Sequence, residues 1–178
     1  MDFKAVISSL LKRFDEQGLR YGLMGGFALG IWGVARATAD LDFLVHRHDM
    51  EKVDSVMREM GYECKFRSEN VSQYVSPLKV FGEIDYLHAF RQVSLEMLAR
   101  AEEKDIFGGE MKIRVLRPED LIGLKLQAIK NNPSRKDIDM WDIKALAASR
   151  RDTLDWPRIK QYAELLGSED LLNEFQGG

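Results

Sequence analysis

The sequence has a single cysteine, Cys64, among 178 residues. One thiol can form neither an internal disulfide nor a cysteine-based zinc site. The chain must therefore hold itself by core packing, which fits a reducing cytoplasm. Proline is scarce, at four residues, and no low-complexity stretch marks a linker. No apolar run approaches the ~20 residues of a membrane-spanning helix. The opening MDFKAVISSLLKRFDEQG is charged throughout and lacks the apolar block of a signal peptide. Neither sign of charge dominates, with 26 Lys and Arg against 29 Asp and Glu for a net charge of −3. No overall basic field draws the chain to nucleic acid or to an anionic membrane. These absences leave a cytoplasmic protein with no membrane partner.

What is present suffices for a core. Hydrophobic residues make up 45% of the chain, and a domain of this size buries roughly two-thirds of its unfolded surface. Phe3, Val6, Ile7, Leu10, Leu11 and Phe14 recur at helical spacing before a stop at Gly18. LRYGLM reads as a strand, FALGIWG as a short helix, and DLDFLV as a strand. DMEKVDSVMREMG reads as an amphipathic helix ending at Gly61. YECKF, SQYVS and LKVFGEIDYLHA read as strands, SLEMLARAEE as a helix, and IFGGEMKIRVL as a hairpin turning at Gly108 and Gly109. From Pro118 onward the pattern is helical. Ser134 and Asp137 have capping-box spacing, and Asp155 and Ser168 stand where caps are expected. The expectation is an α/β half, residues 1–116, and a helical part, residues 117–178, packed on it as one globule.

The segment MGGFALGIWGVARATADLDFLV, Met24 to Val45, carries the chemistry. Gly25 and Gly26 lie between a strand and a helix. Glycine lets a ligand approach the backbone closely, and free N–H groups at a helix start attract phosphate. Asp40 and Asp42 share one face of their strand, roughly 6–7 Å apart along the backbone, while Leu41 and Phe43 face a core. Two carboxylates side by side repel; they make sense around a shared cation, and hard Mg²⁺ takes carboxylate oxygens with phosphates. Asp85, in FGEIDYLHA, is flanked by apolar residues, which is unusual for a surface aspartate. Beside the Asp40–Asp42 strand it completes a three-carboxylate cluster able to hold two divalent ions.

MGG, thirteen residues, DLD, and a later aspartate inside EIDYL resemble the polymerase-β-type nucleotidyltransferase superfamily. With LRPEDLIGLKL and KDIDMWDI downstream, the chain is most similar to small bacterial members, the AbiEii-type toxins and minimal nucleotidyltransferases. The resemblance covers about residues 20–146. It implies a mixed β-sheet with flanking helices, an α/β (α+β) fold with a helical C-terminal part. It also implies transfer of a nucleoside monophosphate from a nucleoside triphosphate such as ATP to an acceptor hydroxyl, with release of pyrophosphate. Gly25 and Gly26 would hold the triphosphate; Asp40 and Asp42 would ligate both of two Mg²⁺ ions, with Mn²⁺ as an equivalent. Asp85 would ligate one metal and activate the acceptor hydroxyl. Acceptors in such families are tRNA ends, proteins and small antibiotics, and toxin members are paired with an antitoxin. Phe27 departs from the pattern, since many members carry Ser or Thr there. It favours the alternative of an inactive nucleotide-binding or regulatory module, against which the intact aspartate set argues.

Arg36, just before the aspartates, is a candidate for a phosphate contact, and Thr38 for ordering the loop. Lys125 could reach the triphosphate or simply snorkel from its helix. Asp137 reads as a cap partner of Ser134, and Asp139 as a contact for a lysine or for substrate. His46, His48 and His88 have no convincing partner spacing. Trp32 and Trp141 fall at helical spacing and read as core rather than as base-stacking platforms. Lys12-Arg13 and Arg150-Arg151 read as solvated helix faces.

Overall fold

The structure is a computed structural model and describes residues 1–176. It divides into two units. The first comprises residues 1–28 and 36–116, and the second, among the described residues, 29–35 and 117–176.

In the first unit, helix α1 spans Phe3–Glu16, capped by the Asp2 carboxylate, which accepts from the Ala5 N–H. Its apolar stripe of Val6, Ile7, Leu10 and Phe14 is buried. Strand β1 is Tyr21–Met24, and helix α2, Gly25–Ile31, follows at once, with its last three residues counted in the second unit. Then come β2 (Asp40–His46), α3 (Met50–Glu59), β3 (Glu63–Arg67), β4 (Val71–Val75) and β5 (Glu83–Ala89). Helix α4 (Gln92–Ala99) precedes a hairpin of β6 (Glu102–Ile106) and β7 (Met111–Val115). The seven strands form one sheet in the order β3-β4-β5-β2-β1-β7-β6. It is mixed: β2 runs antiparallel to β1 and parallel to β5, and β1 runs parallel to β7.

Alternation along β2 and β5 sets what faces where. Leu41, Phe43, Ile84 and Tyr86 are buried, while Asp40, Asp42, Glu83 and Asp85 are half-buried. Phe43 lies edge-on to Phe14 of α1 at 5.7 Å and stacks on Tyr86 at 5.8 Å. The Tyr86 hydroxyl donates to the Met57 Sδ of α3 at 3.1 Å. The sheet face away from the carboxylates is thus anchored by large apolar groups. Fully burying each contributes about 1.5–3 kcal/mol.

The second unit contains α5 (Pro118–Asn131), α6 (Lys136–Arg150), α7 (Trp156–Leu166) and α8 (Glu169–Gln176). Gly123 lets α5 approach α7 closely. A Cβ there would come within 2.6 Å of the Tyr162 ring. The Tyr162 hydroxyl donates to Asp120 at 2.5 Å, and both residues are buried. Asp155 caps α7 by accepting from the Arg158 N–H, and Gly167 ends it with φ +60°.

Three sequence expectations are corrected. Leu78–Gly82 is a turn rather than the start of β5, and its Leu78 and Val80 are exposed. Glu102 and Glu103 belong to β6, not to α4, because they pair with Val115 and Arg114 of β7. Ser134 does not cap α6 through Asp137. Its N–H and hydroxyl both donate to Asn132, which caps a 3₁₀ turn at Pro133–Arg135 that runs straight into α6. An acceptor two residues away outcompetes the longer box.

Candidate active site

The glycines, Thr38 and the aspartates meet at one end of the sheet. Gly25 is the first residue of α2 rather than part of a separate turn, and its φ is +69°. A Cβ on it would lie 2.6 Å from the Asp42 carboxyl carbon, so only glycine leaves room for that carboxylate. A Cβ on Gly26 would come within 2.7 Å of the Thr38 hydroxyl. That hydroxyl donates to Asp40 Oδ1 at 2.7 Å. Thr38 therefore positions the first aspartate and fits against the second glycine. Arg36 is exposed in the same loop.

Pairing across β2 and β5 aligns the acids. Asp42 stands opposite Asp85, and Asp40 opposite Glu83. Met24, the residue before Gly25, stands opposite Asp42 in β1. Four carboxylates thus occupy two adjacent rungs of one sheet face. Asp85 feels this. Burial, then the charges of Glu83 and Asp40, push its carboxyl up to about 6, against a smaller opposing hydrogen bond from Gln73. Asp85 Oδ1 is buried without a hydrogen-bond partner. A buried acceptor oxygen with no donor, in a like-charged cluster, is costly unless a cation comes to it.

These features fit a divalent cation, with one qualification of geometry. Among the described residues, no three His, Cys, Asp or Glu side chains are gathered closely enough to form a ready ligand set. The expected three-carboxylate cluster is therefore aligned on one face but not drawn together. Thr38 holds Asp40 from the side.

Phe27 does not fill the glycine nook. Its ring packs 5.0 Å from Phe3 and 6.3 Å from Phe107, in an aromatic cluster of its own. The substitution thus removes a hydroxyl without closing the approach to Gly25 and Gly26.

Lys125 lies in the second unit. Its ammonium donates to Asp139 at 2.9 Å and to Asp142 at 2.5 Å. The two aspartate side chains are 1% and 0% exposed, and that of Lys125 is 12% exposed. Arg135 also donates to Asp139, at 2.8 Å. With both cations beside it, the Asp139 carboxyl is lowered despite burial. Lys125 is thus the centre of an ion-pair network rather than a lysine snorkelling to solvent. Trp32 is buried as expected, but Trp141 is 55% exposed beside an equally open Ile138. His88 is buried and bonded to Ser72 at 2.7 Å.

Sequence reasoning missed Glu83 and Gln73. Glu83 carried a signal, because Glu-x-Asp in GEIDY repeats the spacing of Asp40 and Asp42. Gln73 carried none, since only β4–β5 register places it opposite Asp85.

A family profile described as an uncharacterised nucleotidyltransferase matches residues 3–175. The chain belongs to this nucleotidyltransferase family. It is accordingly an enzyme of the class that transfers nucleotidyl groups. No curated protein matches it in sequence. Solved structures share its fold. The antibiotic-resistance factor ANT(2'')-Ia superposes with a TM-score of 0.70 at 16% identity, covering 98% of this chain and 97% of its own. The lincosamide antibiotic adenylyltransferase LnuA, with lincomycin bound, gives 0.58 at 14% identity, covering 82% and 96%. An antigenic nucleotidyltransferase-like protein from Paracoccidioides brasiliensis gives 0.59 at 17% identity, covering 98% and 92%. The nucleotidyltransferase fold expected from the motifs is the fold observed. No helix among the described residues is long and apolar enough to cross a membrane.

Proposed function

We propose that this nucleotidyltransferase moves a nucleoside monophosphate from a nucleoside triphosphate to a hydroxyl of a small-molecule acceptor, with Mg²⁺ (or Mn²⁺) held by Asp40, Asp42 and Asp85. One observation carries the reading. Asp42 and Asp85 face each other across adjacent strands, and Gly25 is the residue that leaves the Asp42 carboxylate its space.

The divalent ions would neutralise phosphate charge and orient the α-phosphate. The chain's own groups do the rest. Gly25 and Gly26 admit the triphosphate close to the backbone, and Arg36 offers it a guanidinium. Asp85 takes the proton of the acceptor hydroxyl. The acceptor oxygen bonds to the α-phosphorus, and the bond from that phosphorus to the bridging oxygen breaks. Pyrophosphate leaves with the bonding pair. A positioned base contributes about 10²–10⁴-fold.

A net charge of −3 favours a small acceptor over RNA. The antibiotic acceptor named for LnuA on the same fold is of that kind. The resemblance to AbiEii-type toxins points instead to a tRNA or protein acceptor and an antitoxin partner. One experiment separates them. The full chain is incubated with each α-labelled nucleoside triphosphate, Mg²⁺, and aminoglycosides, lincosamides, tRNA or a protein fraction. Label on a small molecule supports the reading, label on tRNA or protein replaces its acceptor, and no metal-dependent label on anything overturns it.

A further inference from the structure

Strands β1 and β2 have two ends, and the carboxylates use only one. At the other end, four residues beyond Asp42 and ~13 Å along the strand, His46 lines a cavity of about 490 Å³ with Arg20, Tyr21, Leu95, Leu98 and Arg114. This volume lies in the range of small-molecule sites, ~300–1,000 Å³. The cavity lies wholly within the first unit.

The polar side chains that line it are all hydrogen-bond donors. His46 Nδ1 accepts from the His48 N–H at 3.1 Å, which leaves the ring proton of the neutral form on Nε2. The Tyr21 hydroxyl oxygen accepts from the Arg114 backbone N–H at 3.4 Å and keeps its own proton to donate. Burial raises the Tyr21 hydroxyl further from ionisation. One guanidinium nitrogen of Arg114 donates to the Ala101 carbonyl at 2.7 Å, which fixes the group and leaves other N–H bonds. Arg20 is exposed at the rim. No carboxylate is among the lining residues. Nearby Glu103 is bound to Lys112 at 3.0 Å instead. The rest of the wall is apolar and comes mainly from α4, with Leu98 buried and Leu95 half-buried.

From this arrangement we infer a second ligand site, which takes a small apolar molecule bearing one carboxylate or phosphate group. Arg114 and Arg20 line one cavity, the nearest carboxylates, Asp15 and Glu103, stand outside its lining, and Arg pairs bidentately with either oxyanion. The leucines receive the apolar body. The site is separate from the proposed chemistry and does not rest on it.

The test is an amide-resolved NMR titration of the full chain, free of metal and nucleotide, with benzoate, phenyl phosphate and neutral benzyl alcohol. Saturable shifts at Tyr21, His46, Leu98 and Arg114 with an anionic probe support the site, and the tighter probe identifies the headgroup. Arg114→Met, and separately the rim variant Arg20→Met, should each weaken that binding at least about tenfold, as loss of a charged hydrogen bond does. The Arg20 variant covers the case in which loss of the Ala101 bond disturbs folding. The site is refuted by an absence of saturable shifts, by equal response to benzyl alcohol, or by unchanged affinity in Arg20→Met. None of these readouts involves turnover, so such a failure leaves the proposed function standing.

Discussion

Replacing Asp85 with asparagine should make the metal-free protein more stable while abolishing transfer. The folded state holds the Asp85 carboxyl at about 6 against an ordinary 3.8, chiefly through burial and then through Glu83 and Asp40. A raised carboxyl works against folding once it ionises. Its stabilising contribution is complete below about pH 4, falls between about pH 4 and 6, and is gone above about pH 7. Raising a carboxyl from 3.8 to about 6 corresponds to ~3 kcal/mol. Asp85 is only half-buried, so screening reduces this to about 1–2 kcal/mol. Asparagine keeps the size and the acceptor that Gln73 bonds, and removes the charge. Urea denaturation in chelator should show Asp85→Asn more stable than the parent at pH 8, with the difference shrinking toward pH 4.5. Adding Mg²⁺ at pH 8 should stabilise the parent and do less for the variant. A pH-independent difference, or a variant less stable at pH 8, would falsify the electrostatic account of Asp85.

Gly25→Ala must accommodate a positive φ and a Cβ against the Asp42 carboxylate; it should lose about 1–3 kcal/mol of stability and most Mg²⁺-dependent nucleotide binding, read by thermal shift. Thr38→Val removes the bond that holds Asp40, so transfer should fall about tenfold or more with little change in melting temperature; unchanged transfer would take Thr38 out of the site. Lys125→Met leaves two nearly inaccessible aspartates short of a cation and should cost about 3–5 kcal/mol in chemical denaturation; a variant as stable as the parent would mean that network is not structural. Tyr162→Phe removes the hydroxyl that donates to the buried Asp120 and should cost about 1–3 kcal/mol by the same assay.

Much of the site was legible because it is local. Gly25, Gly26, Asp40 and Asp42 lie within eighteen residues of one strand–helix–strand passage. Alternation alone puts both aspartates on one face, and a glycine pair beside them already indicates close backbone approach. The isolated Asp85 was readable from its apolar neighbours, whereas Glu83 was missed although it repeats the same two-residue period. Helix ends were legible where a cap lies within three residues, as at Asp155. They were misread where a nearer acceptor, Asn132, took the same hydrogens.

The sequence by itself determined the mixed α/β class, the glycine–aspartate passage and the strand that carries the third acid, because all of these follow from short-range periodicity. Only the tertiary structure decided which residues meet across strands. Register set Asp42 against Asp85 and Asp40 against Glu83, and burial within the folded sheet, then the charges of Glu83 and Asp40, raises the Asp85 carboxyl. Folding of α5 against α6 turned Lys125 toward Asp139 and Asp142. It also left Trp141 open, although its spacing resembles that of a core residue. Electrostatic neighbours and ion pairs depend on distance in space, and a one-dimensional pattern carries that distance only for residues within a turn or a strand of one another.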